Sequence, residues 1–131
     1  MQEIKLTDEN QPEVLQKTLE VLKNGGVIIY PTETSYGMGC DFYNKEAVDK
    51  IYQIKQRDKS KPLPVLVSSL TQAGTLVDFS EDAERLALEF WPGPLTLVLP
   101  FRYCYLQQHC DDYLALRVSS HVFASNLVSS L

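Results

Sequence analysis

Short runs of strand-forming residues alternate along this chain with segments whose apolar residues recur at helical spacing, and that alternation restricts the fold more than any other feature. Val14, Leu15, Thr18, Leu19 and Leu22 mark a first helix, with Pro12 admissible in its first turn and Asn24-Gly25-Gly26 as its stop. Val27-Ile28-Ile29-Tyr30 follows as a buried strand ended by Pro31, and residues 32–39 read as a polar, glycine-containing loop. A second helix is expected from Lys45 to about Lys55, with Ala47, Val48, Ile51 and Ile54 inward and Asn44 as its cap. Residues 63–67 form the next strand candidate. Ser80 would cap a helix from Glu81 to Phe90 that turns Ala83, Leu86, Ala87 and Phe90 inward. Trp91-Pro92-Gly93-Pro94 closes it, strands are expected at 95–99 and 114–118, and residues 121–131 have helical character.

Strands interleaved with helices specify an α/β domain with substantial parallel pairing. At 131 residues the chain fits one domain and not two. An α/β sheet normally buries both faces, and the pattern offers no closing strand. Residues 1–131 are therefore expected to form a single, C-terminally incomplete domain, either a fragment or a naturally shortened copy.

Charge narrows the functional classes. Twelve basic against 17 acidic residues leave a formal net charge of -5, which argues against wrapping duplex nucleic acid over a broad surface. A nucleotide, or a limited contact with an RNA surface, needs only a few local charges. Cys40, Cys104 and Cys110 show no C-x-x-C spacing and read as reduced thiols of a cytoplasmic protein. No run reaches the roughly 20 apolar residues of a membrane span. His109 and His121 lack the spaced companions of a metal site, so surface or packing roles are expected for both.

Against this acidic background, Lys55-Gln56-Arg57-Asp58-Lys59-Ser60-Lys61 concentrates four basic side chains at a helix-to-strand junction. In an extended stretch, alternate positions share a side, so all four charges would line one edge and suit a phosphate. A solvated surface explains the run equally well. Residues 31–39 leave the end of a buried strand, where open α/β sheets place ligands, and they carry the hydroxyls of Thr32, Thr34, Ser35 and Tyr36. Neither the P-loop spacing nor G-x-G-x-x-G occurs. Arg117 lies in an apolar strand and needs a partner, either a structural carboxylate or the carboxylate of a substrate. No G-x-S-x-G elbow or activated cysteine supplies a nucleophile. Glu33, Asp41 and Asp58 would hold magnesium only together with substrate phosphates. The chemistry expected is positioning and charge neutralisation.

Residues 26–39, Gly-Val-Ile-Ile-Tyr-Pro-Thr-Glu-Thr-Ser-Tyr-Gly-Met-Gly, resemble the signature loop of the YrdC/Sua5 family, the threonylcarbamoyl-AMP synthases. The similarity continues through Ala47-Val48, Ile54-Lys55-Gln56-Arg57, Lys61-Pro62-Leu63, residues 91–96 (Trp-Pro-Gly-Pro-Leu-Thr) and Leu116-Arg117-Val118, covering about residues 8–131. It implies a twisted, mainly parallel or mixed sheet with flanking helices around a large concave cavity. It also implies an enzyme that uses L-threonine, bicarbonate and ATP, with Mg²⁺, to make threonylcarbamoyl-AMP and pyrophosphate for t6A modification of tRNA. On that resemblance Thr34 would contact threonine and Arg117 would hold its carboxylate. Lys55, Arg57 and Lys61 would line the phosphate side of ATP, with Thr32 nearby. A contact with tRNA or with the t6A-transferase machinery is a further implied partner.

The chain departs from the family pattern twice. Leu66 stands where some members carry histidine, and the later S-A-N-x-S-G segment has no equivalent, Ser125-Asn126 being no substitute. The alternatives to synthesis are an RNA-binding or regulatory relative and an inactive fragment of the synthase.

Overall fold

The computed structural model describes residues 2–61, 63–102 and 113–131. The elements run in the order α1 (Gln11–Lys23), β1 (Ile28–Pro31), β2 (Tyr36–Gly39), α2 (Lys45–Lys55), β3 (Val65–Leu66), α3 (Leu70–Leu76), α4 (Glu81–Phe90), β4 (Leu97–Pro100), β5 (Tyr113–Arg117) and α5 (Val122–Ser130). Cys104, His109 and Cys110 lie outside the described residues.

The strands of the described residues form two sheets. β1 and β2 make an antiparallel hairpin, and β5 is the centre of a three-stranded sheet, parallel to β3 and antiparallel to β4. The fold is thus α/β with a mixed sheet. Among the described residues parallel pairing is confined to β3 with β5, less than strand–helix alternation suggests, because β4 is paired antiparallel to β5.

Local chemistry accounts for the helix bounds. Asn44 accepts the Ala47 N–H at 3.1 Å to start α2, and Ser80 accepts that of Ala83 at 3.1 Å to start α4. Helix α1 ends as Gly25 enters the left-handed region at φ +79°, which glycine adopts without steric cost. Two elements depart from expectation. Residues 36–39 are a strand rather than loop, held by pairing with β1 and by Tyr30, whose ring lies so close over Gly39 that a Cβ there would stand 2.8 Å from Cε1. Helix α3 was not expected from periodicity, since its seven residues are too few to show one.

The principal core packs α3, α4 and Trp91 against the three-stranded sheet around Leu97, Leu99, Leu114 and Leu116. A second cluster joins Leu19 and Leu22 of α1 to Phe123 and Leu127 of α5, with Ile28 and Tyr30 packed against it. Helix α4 buries only Ala83 and Ala87. Leu86 and Phe90, expected inward, are 42% and 48% exposed, because the helix meets the core along its small-residue row. Ile54 of α2 is likewise exposed. The turn after α4 is tied to the central strand's end, where Gly93 N–H donates to Val118 O at 2.8 Å.

Leu116 is fully buried in the middle strand. Truncation to alanine removes transfer energy and leaves a cavity that strands on both sides keep from collapsing. Leu116→Ala should cost about 2–5 kcal/mol, read from the shift in urea midpoint at unchanged slope.

Candidate functional site

The hairpin turn between β1 and β2 is organised by Thr32. Its N–H donates to Ser35 O at 2.8 Å, and its hydroxyl donates to the same carbonyl at 2.8 Å. The hydroxyl oxygen also accepts the Thr34 and Ser35 N–H groups at 3.3 and 3.2 Å. With its own proton committed to Ser35 O, Thr32 is the acceptor in the 3.1 Å contact with Thr34 Oγ1. The Thr34 proton therefore goes to an oxygen that already accepts two N–H groups, and it is the proton of this turn most easily redirected to a ligand.

Opposite the turn stands Arg117, the last residue of β5, whose backbone is fixed by the Leu66 register of β3 and by Val67 N–H donating to its carbonyl at 3.0 Å. Its side chain reaches back across 84 residues to the turn. Nε and Nη2 donate to Glu33 Oε1 at 3.2 and 2.5 Å, and Nη2 also donates to Thr34 Oγ1 at 3.2 Å. The Ser119 hydroxyl donates to Glu33 Oε2, and Ser119 in turn accepts the His121 N–H at 3.1 Å. His121 itself caps α5 through Nδ1, which accepts the Phe123 N–H.

The pair is largely shielded, with side-chain exposures of 18% for Arg117 and 16% for Glu33. Burial opposes the Glu33 charge, but hydrogen bonds from Ser119, Arg117 and its own backbone N–H, with the Arg117 charge, outweigh it and hold the carboxyl at about 2. Tyr30 lies within the same field: burial raises its phenol pKa, Arg117 pulls it down and Glu33 pushes it up.

The basic segment takes a different form from an extended edge. Lys55 ends α2, Gln56 caps it at φ +50°, and Lys61 N–H closes a turn onto Asp58 O at 3.0 Å. Lys61 O accepts from Tyr52 Oη at 2.9 Å and from Arg57 Nε at 3.4 Å, so the segment folds back on itself and is not an extended edge. Lys59 is paired with Asp49 at 3.2 Å. Lys55 alone of this group lines the cavity of about 360 Å³ enclosed by the hairpin, α2, β3 and α5, whose walls include Tyr30, Met38, Phe42, Tyr52 and Leu127. Cys40 also faces it, its thiol pushed up to about 11 by burial and by Asp41.

The six residues singled out from sequence thus fall into two groups. Thr32, Thr34 and Arg117 share one hydrogen-bonded cluster, and Lys55, Arg57 and Lys61 share the turn after α2. Glu33 changes role. Both its oxygens are engaged by Arg117 and Ser119, so it does not fit a magnesium site, and it supplies the structural carboxylate that an arginine in an apolar strand requires. Ser119 escaped sequence reading, because nothing local distinguishes it from Ser120. Among the described residues no three His, Cys, Asp or Glu side chains cluster to hold a metal ion.

Glu33 titrates at about 2 in the folded chain against an ordinary 4.5, so its ionised form is the one the fold stabilises. That contribution is complete above about 4.5 and is lost as the pH falls through about 2. Urea midpoints measured across this range should show the gap between the native chain and Glu33→Gln constant at higher pH and closing toward pH 2.

The family described as "Telomere recombination" (Sua5_yciO_yrdC) matches residues 20–131. A threonylcarbamoyl-AMP synthase of Marinobacter nauticus is 42% identical, over 88% of this chain and 64% of its own length. The crystal structure of P. abyssi Sua5 complexed with L-threonine superposes with a TM-score of 0.78 at 34% identity, covering 88% of this chain and 35% of that one. E. coli YciO superposes with a TM-score of 0.81 at 27% identity, covering 91% of this chain and 59% of that one. The chain therefore spans about two thirds or less of the length of these relatives. With the match running from α1 to the last residue and the fold shared, the chain belongs to the Sua5/YciO/YrdC family.

Proposed function

We propose that this chain carries the amino-acid and phosphate sites of a nucleotidyltransferase that makes threonylcarbamoyl-AMP and pyrophosphate from L-threonine, bicarbonate and ATP, for t6A modification of tRNA. The observation that carries the reading is the joining of Arg117 and Thr34 at the meeting of the hairpin and β5. A guanidinium on a rigid strand beside a hydroxyl with a redirectable proton suits an α-amino acid carboxylate. The likeness to a synthase and to a Sua5 complexed with L-threonine supports the same assignment.

The reaction needs no covalent intermediate on the protein. The threonine amine and bicarbonate condense to a carbamate with loss of water. A carbamate oxygen attacks the α-phosphorus of ATP, and the bond to the bridging oxygen breaks to release pyrophosphate. Arg117 and Thr34 would fix the amino acid so that its amine is presented in one orientation. Lys55, Arg57 and Lys61 would offset charge on the phosphates and the leaving group, and Thr32 would hold the turn that carries Thr34. Mg²⁺, when bound with ATP, would neutralise further phosphate charge and be held chiefly by phosphate oxygens.

The test is pyrophosphate release in the presence of ATP, bicarbonate and Mg²⁺, which should depend on added L-threonine. Arg117→Lys keeps the charge but loses the planar fork, and should weaken L-threonine binding by about tenfold or more in calorimetric titration. L-threonine binding unchanged in Arg117→Lys would refute the assignment. Salt-sensitive tRNA binding without any threonine-dependent product would replace synthesis with an RNA-binding role.

A further inference from the structure

Arg117 has five N–H donors. The one on Nε and both on Nη2 are spent within the cluster, two on Glu33 Oε1 and one on Thr34 Oγ1. The two on Nη1 have no partner among the described residues. Glu33 thus grips one edge of the guanidinium with a single oxygen. Its other oxygen is anchored by Ser119, which is 4% exposed and is itself held by the backbone N–H of His121. A carboxylate fixed at both oxygens cannot swing away with the side chain it holds. The plane of the guanidinium is set by the Glu33–Ser119 arm, and Nη1 is the edge left to a ligand.

We propose that Glu33, anchored by Ser119, is the positioning residue that fixes the Arg117 guanidinium by its Nε–Nη2 edge and reserves Nη1 for the carboxylate of the bound amino acid. The proposal rests on the reading of Arg117 as the carboxylate-binding residue, and it names what gives that residue its orientation. Thr34 completes the arrangement, since a carboxylate with one oxygen on Nη1 can take the Thr34 proton on the other. A staple that merely joined the hairpin to β5 would have no need to leave one face of the guanidinium open.

Two variants separate positioning from stapling. Glu33→Gln keeps the size of the side chain and removes its charge. Ser119→Ala leaves the charge and removes its anchor. L-Threonine affinity should fall by about tenfold or more in Glu33→Gln and by a smaller factor in Ser119→Ala, while ATP affinity stays within about twofold. A Leu99→Val control, destabilised in the core at a side chain with no hydrogen bond to the cluster, should bind L-threonine as the native chain does. Equal L-threonine affinity in the native chain, Glu33→Gln and Ser119→Ala would overturn the proposal. So would parallel losses of threonine and ATP affinity.

A second readout does not depend on threonine being the substrate. In ¹⁵N NMR the Arg117 Nη2 protons should be rotationally restrained in the native chain and averaged in Glu33→Gln, and acetate should shift Nη1 in the native chain alone. Acetate shifts identical in both proteins would overturn the positioning role. Acetate binding without L-threonine binding would instead sink the substrate assignment and leave the role of Glu33 standing.

Discussion

The ion pair between Arg117 and Glu33 joins parts of the chain that no strand pairing among the described residues connects. The hairpin β1–β2 and the sheet β3–β5–β4 are separate in their hydrogen-bonding, and the pair bridges the turn of one to the last residue of the central strand of the other. Its worth depends on completeness. A shielded charge left without a partner costs far more than a satisfied one contributes. Here both carboxylate oxygens and three of the guanidinium donors are matched, and no buried side-chain N or O among the described residues lacks a partner.

That satisfied arm brings Thr34 of the hairpin turn and Arg117 of β5 together. Thr34 is held within reach of Arg117 by a turn organised by the hydrogen bonds of Thr32. The basic turn follows α2, whose last residue Lys55 faces the cavity that Tyr30 also lines. Tyr30 is the physical link between the regions: its ring covers Gly37 and Gly39, it packs on the α1–α5 cluster, and its phenol feels both charges of the pair. The Arg117–Thr34 cluster and the basic run are thus carried by separate elements of the fold.

Much of the architecture was legible in the residues. Helices α2 and α4 begin where Asn44 and Ser80 offer side-chain oxygens, and α1 ends at the one glycine that takes a left-handed conformation. Helix α3 hid in a seven-residue stretch, although Ser69 and Gln72 form the spacing of a capping box, with Ser69 Oγ accepting the Gln72 N–H and Gln72 Oε1 accepting the Ser68 N–H. Strand β2 hid because glycines at 37 and 39 carry no strand propensity of their own. They are strand residues because β1 lies beside them and the Tyr30 ring needs their bare surface.

The sequence by itself determined the α/β alternation, the capped helices, the apolar strands and the requirement that Arg117 find an anionic partner. Those properties depend on residues near one another in the chain, where periodicity and propensity act. Only the tertiary structure decided which carboxylate answers Arg117, how the basic run is shaped and which strands pair in which direction. Glu33 and Arg117 are 84 positions apart, and their meeting depends on how β5 lies beside β3 and where the hairpin turn comes to rest. Read from the sequence, Glu33 could hold magnesium only together with substrate phosphates. It became a fixed anchor once Ser119 and Arg117 closed on its two oxygens, a three-body geometry with no local trace in the chain.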